Sequence, residues 1–175
     1  MKTILTLLFV ALSLCGFSQV GQVFPKIDGF DLADKPITLP QKNGKYTIVA
    51  MAYLREAEPA MKKWLNPLYN EFVNKGSGKS DFDMSESYDV NFYFVPMISG
   101  LKNAKMDYKN NTDKGFWPYV MDTDKYDVKA MQKQLGVENP KIPYFYVLDK
   151  DGKIVDVQSG TFTEQKMEKM AEAIK

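Results

Sequence analysis

The chain has 175 residues, with 23 Lys and Arg against 22 Asp and Glu, one cysteine and no histidine. This length is typical of one domain, with little room for a second. The net charge of +1 gives no electrostatic reason to expect nucleic acid or an anionic membrane as the partner. Without histidine, the chain also has no imidazole to act as a general base.

The first 18 residues have the pattern of a signal peptide. Lys2 gives a positive start, and Ile4–Leu14 is an apolar run too short to span a bilayer as a helix. Gly16 and Ser18 are small residues suited to a cleavage after Ser18. We therefore expect residues 1–18 to be removed and the protein to be periplasmic or secreted.

The alternative at this end is a lipoprotein acylated at Cys15. Leu14 is larger than the residue that precedes a lipidated cysteine, so we rank cleavage first. Cleavage would leave residues 19–175 as a single domain with 22 basic and 22 acidic residues, because Lys2 is the one charge removed. Such a domain would contain no thiol and no zinc or copper site built on Cys or His, and we predict no cofactor.

The first half of the chain predicts strands followed by a long helix. Phe30–Leu39 has extended character, and Tyr46–Tyr53 is typical of a strand buried on both faces. A helix is predicted over Ala57–Asn74, with Pro59 tolerated in its first turn and Pro67 kinking its interior. Its apolar stripe consists of Met61, Trp64, Leu65, Leu68, Tyr69 and Phe72.

The middle of the chain alternates polar and apolar segments. Residues 76–89 are polar and rich in loop formers, which predicts a mobile excursion. Val90–Ile98 reads as a second buried strand, Leu101–Tyr108 as a short helix and Trp117–Met121 as a short extended piece. Asp127 is predicted to cap the helix that follows it.

The last third predicts a hairpin and a closing helix. Tyr144–Leu148 and Ile154–Val157 flank Asp149–Gly152, which has the composition of a tight turn. Thr161 and Glu164 have the spacing of a capping box before the final helix. The whole order predicts an α/β fold with a central mixed sheet flanked by helices.

Three segments carry a family resemblance. Gly21-x-x-Phe-Pro25, Lys35–Leu39 and Pro143–Val155 together resemble the thioredoxin-like superfamily, in its exported TlpA/ResA (AhpC/TSA-redoxin) branch. The resemblance implies a thioredoxin-like fold with an N-terminal β extension. It also implies a cis bond between Ile142 and Pro143, in a loop that presents backbone groups to an extended peptide.

The resemblance places an altered motif at the start of the long helix. Aligning Ala52-Tyr53 with the family's usual Phe-Trp pair puts Ala57 and Ala60 on the two cysteines of Cys-x-Pro-Cys, with Glu58 and Pro59 between them. Alanine keeps the helix but removes both sulfurs. Dithiol exchange then has no reacting atoms in this chain, and we predict no catalytic residue.

Neighbouring positions also depart from the family pattern. Glu56 stands where an aromatic is usual, and Met61 where a basic residue is usual. Pro67 lies ten positions after Ala57 instead of the usual eight, so a register two residues later, over positions 59–62, stays open. Neither register supplies a cysteine.

A candidate groove lies between two loops of the resembled fold. Arg55 and Glu56 precede the altered motif, and Ile142 and Pro143 form the opposite loop. The acidic residues also have an electrostatic explanation, because they favour a helix N-terminus. Asp122–Asp127 has carboxylates at calcium-like spacings, but a loop and helix cap explain it better, so no metal site is predicted.

These features lead to three functional hypotheses. We favour an exported non-redox module, not itself an enzyme, that binds an envelope or secreted protein, with no nucleic acid and no integral membrane span. One alternative is a thiol-disulfide oxidoreductase or peroxiredoxin-like protein that uses cysteines from a partner. The other is a purely structural domain of an envelope complex.

Overall fold

The computed structural model describes residues 19–74, 88–98, 104–123 and 126–174. Apart from its last two positions, the loop predicted at 76–89 lies outside these residues, as does the predicted signal peptide. The strands are β1 (Ile27–Asp31), β2 (Pro36–Leu39), β3 (Tyr46–Ala52), β4 (Val90–Pro96), β5 (Met121–Asp122), β6 (Tyr144–Leu148) and β7 (Ile154–Ser159). The α-helices are α1 (Glu58–Tyr69), α2 (Ala104–Asn111), α3 (Val128–Gln134) and α4 (Glu164–Glu172).

The strands form a main sheet of order β4-β3-β6-β7 and a smaller sheet of order β2-β1-β5. In the main sheet, β3 runs parallel to β4 and antiparallel to β6, and β6 pairs antiparallel with β7. The predicted mixed sheet flanked by helices is therefore confirmed. The smaller sheet is built on the antiparallel β1–β2 hairpin near the N-terminus.

Strand β3 contributes to the core on both faces of the main sheet. Ile48, Ala50 and Ala52 point into a cluster formed with α1 and α4. Val49 and Met51 point into a second cluster formed with the small sheet and α3. This double burial explains why the β3 sequence is apolar throughout instead of alternating.

The side chain of Trp64 packs α1 against the main sheet. Its side chain is 0% exposed, and its ring centroid lies 4.2 Å from that of Phe145 and 5.1 Å from that of Phe162. Its indole Nε1–H donates to the Gly160 carbonyl at 2.9 Å. Burial, ring contacts and a hydrogen bond from the indole N–H therefore all stabilise α1 at one position on the predicted apolar stripe.

The segment predicted as one helix over 57–74 is divided into three parts. A 3-10 turn at Arg55–Ala57 leads into α1, and a π-helical segment, Asn70–Asn74, follows it. Pro67 lies inside α1, where its ring and its missing N–H disturb the regular bonding pattern. The π-helical segment begins three residues later and is consistent with the predicted disturbance.

Two local predictions need correction. Trp117–Met121 was expected to be extended, but Lys114–Tyr119 is a 3-10 turn whose start is capped by Asp113, which accepts from the Gly115 N–H at 2.8 Å. Thr163, and not Thr161, caps α4 and accepts from the Lys166 N–H at 3.3 Å. Thr163 directly precedes the first helical residue, which is where a capping side chain reaches the free N–H groups.

Helix α2 is tied to two distant parts of the chain, and residues 101–103 of the predicted helix lie outside the described residues. Lys105 and Lys109 pair with Asp34 in the β1–β2 turn, at 2.6 and 3.1 Å. The Tyr108 hydroxyl donates to Glu58 Oε1 at 2.5 Å. Burial, followed by this hydrogen bond and the charge of Glu58, raises the pKa of Tyr108 well above its usual range.

Replacing Trp64 should cost much more stability than replacing Trp117. Trp64→Phe leaves the Gly160 carbonyl without its donor and a gap beside Phe145, so we expect a loss of about 2–3 kcal/mol in the free energy of unfolding. Trp117→Phe is the matched control, because its indole also donates to a carbonyl, that of Thr112, but it is only partly buried. Urea unfolding measures both, and equal losses would contradict the role given to Trp64.

The Tyr108–Glu58 pair should be detectable in a double-mutant cycle and in the decline of the free energy of unfolding at alkaline pH. We expect Tyr108→Phe and Glu58→Gln to be coupled by about 1 kcal/mol at neutral pH. Because folding raises the pKa of Tyr108, its contribution is present below the ordinary value of 10.0 and is lost as the pH rises towards the folded value. Tyr108→Phe should therefore make the decline in stability above that pH shallower, and an unchanged decline would contradict the assignment.

Candidate functional site

The two loops of the predicted groove lie at the end of the main sheet where β3 ends and β6 begins, which we call the groove edge. Met51, near the end of β3, is paired with Tyr144, the first residue of β6. The chain that leaves β3 towards Arg55 and the chain that enters β6 from Pro143 therefore meet at this edge. Strand β4 ends there too, because the Met97 N–H donates to the Ala52 carbonyl at 2.8 Å.

The two alanines of the altered motif occupy different environments. Ala57 is the N-cap residue of α1, is 0% exposed and donates its N–H to the Leu54 carbonyl at 3.0 Å. Ala60 lies one turn later and is partly buried, and Pro59 is exposed in the first helical turn. Neither alanine carries a sulfur or hydroxyl, so this part of the site can form surface but no covalent bond to a substrate.

The charged residues around the motif have separate roles in the structure. Arg55 and Glu56 are exposed in the 3-10 turn, whereas Glu58 is partly buried and accepts the Tyr108 hydrogen bond. The positive charge of Arg55 lowers the pKa of Tyr108 and so opposes the effect of Glu58. Sequence reasoning missed Tyr108, which lies 50 positions from Glu58 on a short polar helix with no distinguishing pattern.

The opposite loop offers less free backbone than the resemblance implies. Pro143 is buried and has no N–H, and its carbonyl accepts from the Gly160 N–H at 2.9 Å. The Ile142 N–H donates to the Asn139 carbonyl at 3.4 Å. Among the described residues, the Ile142 carbonyl alone is left in this dipeptide without a backbone partner. Backbone capture of an extended peptide is therefore limited here to a single acceptor.

The expected cis bond is not found before Pro143. Among the described residues, the cis peptide bond joins Leu39 to Pro40, in the connection between β2 and β3. The resemblance correctly indicated a proline directly before a strand at position 143, but not the conformation of its peptide bond.

An aromatic layer lies beneath the groove edge on the second face of the sheet. Tyr53 directly follows β3, and its ring centroid lies 6.2 Å from that of Tyr144. Tyr144 in turn stacks on Tyr146 with a centroid separation of 6.3 Å. Burial, followed by the neighbouring Tyr146, raises the pKa of Tyr53 well above its usual range. These buried rings pack against one another directly beneath the groove edge.

The described ranges contain no group of three or more Asp, Glu, His or Cys side chains placed to hold a metal ion. In the calcium-like segment, Asp127 caps α3 by accepting from the Ala130 N–H at 3.1 Å, as predicted. Residues 124 and 125 of that segment lie outside the described residues. No helix in the described part of the chain is long and apolar enough to cross a membrane.

Solved structures similar to this one are thioredoxin-like proteins. The thioredoxin domain of thiol-disulfide oxidoreductase BVU-2223 from Bacteroides vulgatus has a TM-score of 0.60 and 20% identity, over 89% of this chain and 98% of that one. A protein proposed to be a disulfide isomerase, from Bacteroides thetaiotaomicron, has a TM-score of 0.61 and 14% identity, over 89% and 88%. BsSco, a member of the Sco family of cytochrome c oxidase assembly proteins, has a TM-score of 0.53 and 10% identity, over 86% and 91%.

At these identities the similarity is one of fold, and it confirms the predicted thioredoxin-like fold. No curated protein matches the sequence. A family model described as ATP10 protein matches residues 18–175, which is nearly the whole chain. The chain therefore belongs to the ATP10 protein family and has a thioredoxin-like fold.

Proposed function

We propose that this protein is a thiol-independent assembly factor that is exported and holds a segment of a partner protein at the edge formed by residues 55–60 and 142–143. The observation that carries the proposal is the fully buried Ala57 at the start of α1, with Ala60 one turn later. The scaffold that presents reacting sulfurs in thioredoxin-like oxidoreductases is kept, and the sulfurs are replaced by methyl groups. Membership of the ATP10 family supports an assembly role over catalysis.

Recognition in this proposal depends on side chains more than on backbone. The Pro143 carbonyl and the Ile142 N–H already have partners within the protein, which leaves the Ile142 carbonyl as an acceptor. Arg55 and Glu56 are exposed beside it, and exposed Pro59 adds an apolar surface. A partner segment with one charge of each sign and an apolar residue would complement this edge.

Site-specific photo-crosslinking tests the location of binding. A photoreactive residue placed at Glu56, Pro59 or Ile142 should give adducts with the same partner in the cell envelope. The same residue at Lys169, which is exposed on α4, should not. Arg55→Ala combined with Glu56→Ala should lower the affinity of the purified pair about tenfold, or about 1.4 kcal/mol.

The crosslinking result can also contradict the proposal. Adducts that concentrate at Lys169 would favour a purely structural domain that binds through another surface. Adducts that depend on a reducible bond to a partner cysteine would favour the redox alternative. Export itself is checked by N-terminal sequencing of the mature protein, which should begin at Gln19.

Restoring the sulfurs tests both the register and the loss of redox chemistry. Positions 57 and 60 are three apart at the start of a helix, where side chains are close enough for a disulfide, so Ala57→Cys with Ala60→Cys should close under mild oxidation. The shifted pair, Pro59→Cys with Lys62→Cys, is the control. Closure measured by thiol titration at the shifted pair alone would show that the register is wrong by two.

The unmodified protein should show no turnover in insulin reduction. Turnover by the unmodified protein would overturn the thiol-independent proposal directly, because it would require a reactive group that the described site does not contain.

A further inference from the structure

A cavity of about 590 Å³ lies between the β1–β2 hairpin, the first half of β4 and the 3-10 turn at Lys114–Tyr119. Its lining includes Asp31, Gln41, Phe92, Tyr93, Pro118 and Tyr119. It is separate from the groove edge, because β4 begins opposite Tyr46 and reaches the groove edge only at its end, opposite Ala52. The last β4 residue in the cavity lining, Tyr93, lies three residues before Pro96 at the groove edge, a distance of about 10 Å along the strand.

The most distinctive group in this cavity is a buried carboxylate. Asp31 is 2% exposed, and its Oδ1 accepts from the N–H groups of Ala33 and Lys35, both at 2.8 Å. Among the described residues, no hydrogen bond is made to Oδ2 and no Lys or Arg forms an ion pair with Asp31. A positive ligand at this position would supply the cationic partner that the buried carboxyl group lacks among the described residues.

Aromatic side chains line the wall near this charge. Tyr93 and Tyr119 are partly buried and border the cavity together with Pro118. Burial, followed by the negative charge of Asp31, raises the pKa of Tyr93, which places the phenol in the field of the carboxylate. A carboxylate combined with aromatic faces is an arrangement that recognises organic cations.

We propose that this cavity binds an organic cation, an alkylammonium or guanidinium group, with Asp31 as its counter-ion and Tyr93 and Tyr119 as its aromatic wall. Gln41 and Asn91 also line the cavity, but their side chains hydrogen-bond within the protein, Gln41 to Asn43 and Asn91 to Asn43 and Thr47. The exposed Lys35 is a further lining residue, and its charge disfavours a second positive charge on the ligand. The proposal is independent of the function proposed for the groove edge.

Calorimetry on the whole mature protein tests the charge requirement. Nα-acetyl-lysine amide and Nα-acetyl-arginine amide are the probes, and neutral Nα-acetyl-norleucine amide is the matched control. We expect at least one cation to bind and the neutral compound not to bind. No heat of binding from either cation, or equal affinity for the neutral compound, would overturn the proposal.

Two substitutions on the β1–β2 hairpin separate charge from structure. Asp31→Asn retains a side-chain oxygen that can accept both backbone N–H groups but removes the charge, so the affinity should fall at least about tenfold. Asp28→Asn removes an exposed charge of the same hairpin and should leave the affinity unchanged. A folded Asp31→Asn variant with unchanged affinity would refute the assignment of the counter-ion.

A measurement on the unmodified protein remains decisive even if Asp31→Asn does not fold. Adding the binding cation should shift the amide NMR signals of residues 31–35, 91–93 and 119. Shifts confined to residues 55–60 would place the cation at the groove edge and overturn the proposal. n-Butylamine, which carries a single charge, distinguishes the sources as a further probe, because tighter binding of n-butylamine indicates a free amine and tighter binding of the amides indicates a peptide side chain.

Discussion

The indole of Trp64 and the backbone of Gly160 form the connection on which the groove edge depends. Trp64 donates to the Gly160 carbonyl at 2.9 Å, and the Gly160 N–H donates to the Pro143 carbonyl at 2.9 Å. Gly160 has φ of +80°, a conformation that residues with a side chain rarely adopt. One glycine thus links α1 to the loop before β6. The two sides of the groove are held in a fixed relation without a disulfide.

The same connection helps to hold the start of α1 in place without cysteines at positions 57 and 60. Ala57 is buried in the cluster that contains Ala52, Trp64 and Phe145, so its methyl group takes part in packing. The nearby Lys166 Nζ donates to the Ser159 carbonyl at 2.7 Å and to the Thr161 carbonyl at 3.0 Å. The fold is therefore stabilised by apolar packing and satisfied carbonyls, and function can change at the motif without a loss of architecture.

Charge is distributed unevenly between the two ends of the β3–β4 pair. At the groove edge, Arg55 and Glu56 are exposed and act at a solvated surface, where each charge contributes little to folding. Towards the other end, Asp31 is buried against a cavity, and its Oδ1 accepts from two backbone N–H groups. The two ends therefore differ in how far their charged groups are removed from water.

The sequence by itself determined the order of the main-sheet strands, the apolar stripe of α1 and the turn between β6 and β7, but it indicated one extended segment at Phe30–Leu39 where the structure has β1 and β2. These features follow from local rules: burial on one or both faces sets the periodicity of side chains, and Gly152 permits the positive φ of +82° that the turn needs. The absence of a second cysteine was also readable directly. Local composition gave a wrong prediction at two places. An extended segment was predicted at Trp117–Met121, but Asp113 caps a 3-10 turn over Lys114–Tyr119. Thr161 was predicted to cap the last helix, but the cap is Thr163, which directly precedes it.

Only the tertiary structure decided which groups meet across the chain. Glu58 and Tyr108 are 50 positions apart, and Trp64 and Gly160 are 96 apart. The two loops of the groove are adjacent because β3 pairs with β6, a register that neither strand specifies alone. The physical reason is that periodicity records whether a side chain is buried, whereas its partner depends on how distant segments cross, and no local pattern encodes that crossing.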